Sequence, residues 1–147
     1  ADLGLAGVAP FRICRVFKER VESALRTIAA DGRFRVITIV GYRNGRTRGP
    51  LDNGVRTLFS NHSYGTAIDV NPAQNGLYDG CDIRKVTPAT IAECHLRMGG
   101  RWNPKARPAT TIVANGPVTR AFESFWKWGG AIPGDLKDLM HFSITGY

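Results

Sequence analysis

The run Ser60-Asn61-His62-Ser63-Tyr64-Gly65-Thr66-Ala67-Ile68-Asp69-Val70-Asn71-Pro72 constrains the fold more than any other stretch of the chain. Thr66 to Val70 has the alternation of a strand, with Ile68 and Val70 pointing one way and Ala67 and Asp69 the other. A strand with aliphatic residues on one face and a carboxylate on the other fits between a core and a polar cleft. His62 precedes it, across Gly65 and other small residues, and is a second good metal ligand. A third candidate lies far downstream, in Asp138-Leu139-Met140-His141-Phe142. Two histidines and a carboxylate bind zinc and leave the fourth tetrahedral position to a water. The first expectation is therefore a zinc hydrolase whose chain folds back to bring His141 to His62 and Asp69.

The flanking elements are readable from periodicity and punctuation. Pro10 opens a helix at a position where its missing N–H is harmless. Phe17, Val21, Leu25 and Ile28 then recur at helical spacing, with Ala24 on the same face, until Asp31-Gly32 ends the run. Val36-Ile37-Thr38-Ile39-Val40 is a β-branched run that reads as a strand buried on both sides and ending in Gly41-Tyr42-Arg43. Residues Asn44 to Ser60 read as a long, basic loop, and Asn71 to Val86 as another. Thr87-Pro88 resembles an N-cap and N1 pair that starts a short helix to about Met98. Pro117 begins a helix carrying Val118, Phe122, Phe125 and Trp126, which stops at Trp128-Gly129-Gly130. Phe142 to Thr145 reads as a short final strand. Helices and strands alternate irregularly with long loops, which predicts an α+β domain.

A chain of 147 residues suits one domain, 1–147, with one core. No apolar run approaches the ~20 residues that cross a bilayer. The N-terminus, Ala1-Asp2-Leu3-Gly4-Leu5-Ala6, does not read as a signal peptide, so a mature or trimmed chain is expected. Net charge is +8, with 15 Arg and 5 Lys. That field favours anionic partners, nucleic acid, acidic lipid and acidic wall polymer alike. The basic residues are scattered, apart from a loose cluster at Arg43, Arg46, Arg48 and Arg56, and no nucleic-acid-binding motif is present. Cys14 falls on the apolar face of the expected first helix. Cys81 and Cys94 could pair in an exported protein, closing a short loop for ~3 kcal/mol.

Asp138 and His141 are spaced to lie close together on a turn, so Asp138 could reach a metal-bound water without ligating the metal. A carboxylate there can accept the water's proton and pass it to a leaving amine. Arg43, at the end of a strand, is a fixed cation for a developing oxyanion or a substrate carboxylate. Each residue also has a plainer role open to it. An aspartate after a strand is often a turn or cap residue, and a lone histidine such as His95, expected in a helix without an acidic partner, is often structural.

Ser60-x-His62-x-x-Gly65-x-Ala67-x-Asp69 resembles the SxHxxGxAxD motif of the VanY-like zinc peptidases. That superfamily holds D-alanyl-D-alanine carboxypeptidases, D-Ala-D-Ala dipeptidases and L-alanyl-D-glutamate endopeptidases. Gly41-Tyr42-Arg43, Asn71-Pro72 with Asn75, Trp128-Gly129-Gly130 and Asp138-x-x-His141-Phe142 resemble further family motifs in the right order. The resemblance covers roughly Val36 to Ile144, with the N-terminal helix packed on the sheet. It implies a small antiparallel sheet with helices on one side and long loops forming a zinc cleft. His62, Asp69 and His141 would hold Zn2+, Asp138 would be the general base and acid, Arg43 would bind and polarise the scissile carbonyl, and Ser60 would lie near the substrate. Asp138 stands where several members carry Glu, and Ser143 follows His141-Phe142 where the family often has an acidic residue.

The expected activity is zinc-dependent cleavage of the peptidoglycan stem peptide, D-alanyl-D-alanine carboxypeptidase-like, with L-alanyl-D-glutamate endopeptidase cleavage as the alternative. A location outside the cytoplasm (periplasm, cell wall or medium) and a monomer are expected, with no specific nucleic-acid partner. A non-catalytic zinc-containing wall-binding module would keep the ligands without needing Asp138. A nucleic-acid-binding domain would explain the charge but not the ordered ligands.

Overall fold

The computed structural model describes residues 5–81 and 85–147. Residues 1–4 of the N-terminal reading, and residues 82–84 of the loop expected over Asn71 to Val86, lie outside the described residues. The chain is α+β. Its central sheet has four antiparallel strands in the order β1 (Ile39–Val40), β4 (Ala67–Val70), β9 (His141–Ser143) and β7 (Lys127–Trp128). A second antiparallel sheet joins β6 (His95–Met98), β5 (Leu77–Asp79) and β8 (Lys137–Asp138). A separate hairpin pairs β2 (Arg48–Asp52) with β3 (Val55–Leu58). Helices α1 (Lys18–Asp31) and α2 (Pro117–Phe122) pack against one another.

The alternation of β4 and β9 separates core from site. Ile68 faces Phe142 across the ladder, and Phe142 faces Trp128, all buried. The Phe142 ring lies 4.9 Å from Phe122 of α2, and Trp126 bridges from Phe122 to Phe17 at 6.0 and 5.3 Å between centroids. Val21, Ala24, Leu25 and Ile28 bury the inner stripe of α1 in the same core. One residue along, on the opposite face, Asp69 is paired with His141.

Several elements differ from the sequence expectation. The first helix does not open at Pro10: a 3-10 turn, Arg15–Phe17, precedes α1. Residues before it stay extended because Arg12 O accepts from Tyr42 N (2.7 Å) and Cys14 N donates to Gly65 O (2.8 Å). Cys14 is thus a half-buried free thiol just before that turn. Only Ile39–Val40 of the β-branched run joins a ladder, and Ile37 is exposed. The amides of Ile37 and Thr38 bond instead to Asn71 Oδ1, at 2.7 and 3.1 Å.

The supposed loop from Asn44 to Ser60 contains the β2–β3 hairpin. Its turn is Asn53-Gly54, both at positive φ (49° and 79°), the backbone that suits a tight hairpin. The next expected loop contains β5. In place of a helix running to Met98, there is a short 3-10 turn, Thr90–Glu93, followed by β6. Cys94, bonded to Cys81, sits between them, and pairing with β5 draws the following residues into the sheet. His95 is therefore on an exposed strand rather than a helix. Helix α2 stops at Phe122, short of the expected Trp128, and the last strand is His141–Ser143. Among the described residues, no helix is long and apolar enough to cross a membrane.

Candidate metal centre

His62 sits in a 3-10 turn, Asn61–Tyr64, that closes on Gly65 in the left-handed region (φ 67°). A Cβ on Gly65 would stand 2.5 Å from Cys14 N, so only glycine admits the segment that crosses it. Two reciprocal bonds tie the turn to the end of β1. His62 Nδ1 donates to Gly41 O at 2.8 Å, and Arg43 N donates to His62 O at 3.0 Å. Since a carbonyl only accepts, Nδ1 carries the proton in the neutral ring and Nε2 presents its lone pair inward.

His62 Nε2 lies 3.1 Å from Asp69 Oδ1 and 3.2 Å from His141 Nδ1, and His141 Nδ1 lies 3.0 Å from Asp69 Oδ1. All three residues are buried. A zinc–donor distance of ~2.0–2.1 Å gives donor–donor edges of ~3.3–3.4 Å in a regular tetrahedron, so this triangle needs to open by only ~0.2–0.4 Å. Hydrogen bonding alone satisfies it poorly, because at most one proton can sit between His141 and Asp69 while the lone pair of His62 faces both. The donor set and its spacing fit a divalent cation. Among the described residues, His62, Asp69 and His141 form the one such cluster.

Charge follows the same geometry. Burial opposes ionisation of Asp69, but the His141 and His62 rings outweigh it and hold the carboxyl well below the usual range. Burial likewise disfavours a charged His141, yet the Asp69 carboxylate raises its pKa. Asp69 Oδ2 accepts an ion-pair contact from Arg43 Nη2. Arg43 thus steadies Asp69 while lining the cleft.

Asp138 ends β8, and the turn Leu139–Met140 carries the chain to His141 in the other sheet. Leu139 N bonds to Gly76 O (3.1 Å) and Val70 N to Met140 O (2.8 Å), which fixes the turn against both sheets. Asp138 Oδ1 is buried without a hydrogen-bond partner. Burial pushes the carboxyl up to about 6, partly offset by the positive charge of His141 and reinforced by Asp69. A carboxylate tuned towards neutrality, beside three converging donors, is the arrangement of a general base. Ser60 also lines the cleft, its hydroxyl 2.5 Å from Thr47 Oγ1.

Sequence reading undervalued two buried polar residues. Asn71 is fully buried: its amide oxygen takes the Ile37 and Thr38 amides and its Nδ2 donates to Arg35 O at 2.8 Å. Asn75 Nδ2 donates to Asn71 O (3.1 Å) and Thr110 O (3.0 Å), while its Oδ1 accepts from Ile112 N (2.7 Å). Both brace the segment following Asp69, and their place in the Asn71-Pro72 and Asn75 motif was the sequence signal that marked them. Lys137 is buried beside Asp138, its Nζ donating to Ile132 O at 2.6 Å, and nothing in the sequence marked it.

The molecule is thus an α+β domain whose two sheets meet at a buried cluster able to hold a divalent cation, with a carboxylate beside it. The family model described as D-alanyl-D-alanine carboxypeptidase matches residues 53–144, a span containing Ser60, His62, Asp69, Asp138 and His141. The chain belongs to this VanY-like M15 family of peptidases. Helix α1 and Arg43 precede the matched span. No curated protein and no solved structure matches the chain.

Proposed function

We propose that the protein is a zinc peptidase that cleaves the peptidoglycan stem peptide as a D-alanyl-D-alanine carboxypeptidase. The observation that carries this reading is the 3.0–3.2 Å triangle of His62, Asp69 and His141 donors in one cleft with the unpartnered Asp138 carboxylate. His62, Asp69 and His141 would hold the ion; when bound, zinc would supply a Lewis acid and a water acidified to pKa ~7.

The protein's own groups account for the remaining steps. Gly41 O fixes the His62 tautomer, and Arg43 holds Asp69 in register. Asp138 Oδ1 accepts the proton released as water attacks the peptide carbonyl and then delivers it to the departing amine nitrogen, so the carboxylate is restored at the end of the turnover. Arg43, anchored on Asp69 at the cleft wall, offers positive charge to the carbonyl oxygen as it becomes an oxyanion. Ser60, which lines the cleft, would lie near the substrate. The presence of Asp138 favours an enzyme over a non-catalytic wall-binding module.

The reading includes action outside the cytoplasm, supported by the Cys81–Cys94 disulfide, because such bonds persist in oxidising compartments. Incubation with zinc and defined muropeptides, followed by mass spectrometry, tests it. Loss of a terminal D-alanine is the expected product. Cleavage between L-alanine and D-glutamate would replace the exopeptidase with the endopeptidase, and intact peptides with zinc bound would overturn peptidase action.

A further inference from the structure

The cleft holding the triangle has a volume of about 320 Å³ and two unlike walls. One is apolar, with Leu77, Met98, Ile132 and Met140 among its residues. The other is the β2–β3 hairpin, which presents Arg48 and Arg56 to the cavity. The hairpin belongs to neither of the other sheets. Arg43, the third cleft arginine, is paired with Asp69. Arg48 and Arg56 have no acidic partner among the described residues. Each is nonetheless held in place: Arg56 Nη1 donates to Gly49 O at 2.9 Å, and the Arg48 guanidinium lies 5.5 Å from the centre of the Tyr147 ring. Tyr147 also lines the cleft. Two positioned guanidiniums facing a small cavity, unneutralised by the protein, call for an anion from the ligand.

Resting on the peptidase reading above, we propose that Arg48 and Arg56 form a carboxylate-binding subsite. It would select peptides with a free carboxylate close to the scissile bond, while the apolar wall receives the aliphatic side chains. Two carboxylates of a stem peptide meet that description. One is the C-terminal α-carboxylate, and the other is the free α-carboxylate of a γ-linked D-glutamate.

The test compares zinc-loaded wild type, the double variant Arg48→Gln/Arg56→Gln and the single variant Arg46→Gln. Arg46 is an equally exposed hairpin-root arginine whose guanidinium lies over Phe59, 5.5 Å from the ring centre, and outside the lining of the cleft. It controls for the loss of a positive charge near the cleft but outside it. Substrates are stem peptides as C-terminal acid or C-terminal amide, each with D-glutamate or D-isoglutamine. Wild type should prefer one acid over its amide by tenfold or more, the scale of a charge-assisted hydrogen bond. Whichever position carries the preference identifies the carboxylate. The double variant should lose that preference through KM, with kcat within about threefold, and Arg46→Gln should keep it. An acid preference undiminished in the double variant, or equally diminished by Arg46→Gln, would overturn the subsite. Wild type that cuts no peptide would count against the peptidase reading. Calorimetric binding of the same peptides would then read the subsite without turnover, equal affinities in wild type and double variant overturning it.

Discussion

Stripping the divalent cation from the protein should lower its thermal stability substantially. Without a cation, the His62 Nε2 lone pair, Asp69 Oδ1 and His141 Nδ1 crowd within 3.0–3.2 Å of one another. The donors are already placed to within a few tenths of an ångström of zinc geometry, so little of the binding energy goes into rearrangement. A cation present at a thousand times its dissociation constant stabilises the native state by ~4 kcal/mol. For a domain of this size, ~1 kcal/mol moves the midpoint by ~2–4 °C, which gives a shift of ~8–16 °C. Differential scanning calorimetry on chelator-treated and zinc-reconstituted protein measures it directly, with metal content read by atomic emission. The variant His141→Ala removes one corner of the triangle and should respond to zinc by less than about a third as much. Identical responses of wild type and His141→Ala, or no response in wild type, would refute the assignment of these three residues.

Further outcomes follow from named contacts. Asp138→Asn should reduce kcat by ~10²–10⁴ while zinc stoichiometry stays unchanged, and peptide turnover with metal analysis checks both. As a general base Asp138 would work as a carboxylate, whose pKa burial pushes up to about 6, and the positive charge of a bound cation would lower it from there. The kcat/KM profile should therefore fall as pH drops through a limb at or below about 6, and that limb should be missing from the residual activity of Asp138→Asn. Asn71→Ala should cost ~4 kcal/mol in urea melts, because it orphans the Ile37 and Thr38 amides and places a Cβ at φ 46° without the local bonding of asparagine. Asn71→Gly should cost ~1 kcal/mol less, since glycine tolerates the backbone. Cys81→Ser/Cys94→Ser should lower stability by ~3 kcal/mol under oxidising conditions and match reduced wild type. It should also weaken catalysis, because β5 pairs Leu77 with Asp138.

The candidate donors were legible because their chemistry is local: a strand alternates with period two, so Asp69 opposite the aliphatic face follows from residue order alone. The α1 stripe was legible for the same reason, at the helical period. Asn53-Gly54 is a dipeptide that suits a tight hairpin turn, but the polar, basic residues around it make the whole stretch read as loop. What residue order does not carry is where backbone amides find partners. The β-branched run from Val36 to Val40 has every local preference of a strand, yet the side chain of Asn71 takes two of its amides. Local preference likewise put His95 in a helix, and pairing with β5 drew it into a strand.

The sequence by itself determined which atoms could bind and move protons: His62, Asp69, His141 and Asp138. Only the tertiary structure decided that the first three converge to a 3.0–3.2 Å triangle, that Gly41 sets the His62 tautomer, and that Arg43 pairs with Asp69 at the cleft wall while Arg48 and Arg56 face the cleft without an acidic partner among the described residues. Side-chain chemistry belongs to the residue, whereas distance and the neutralisation of charge depend on which distant segments the sheets bring together.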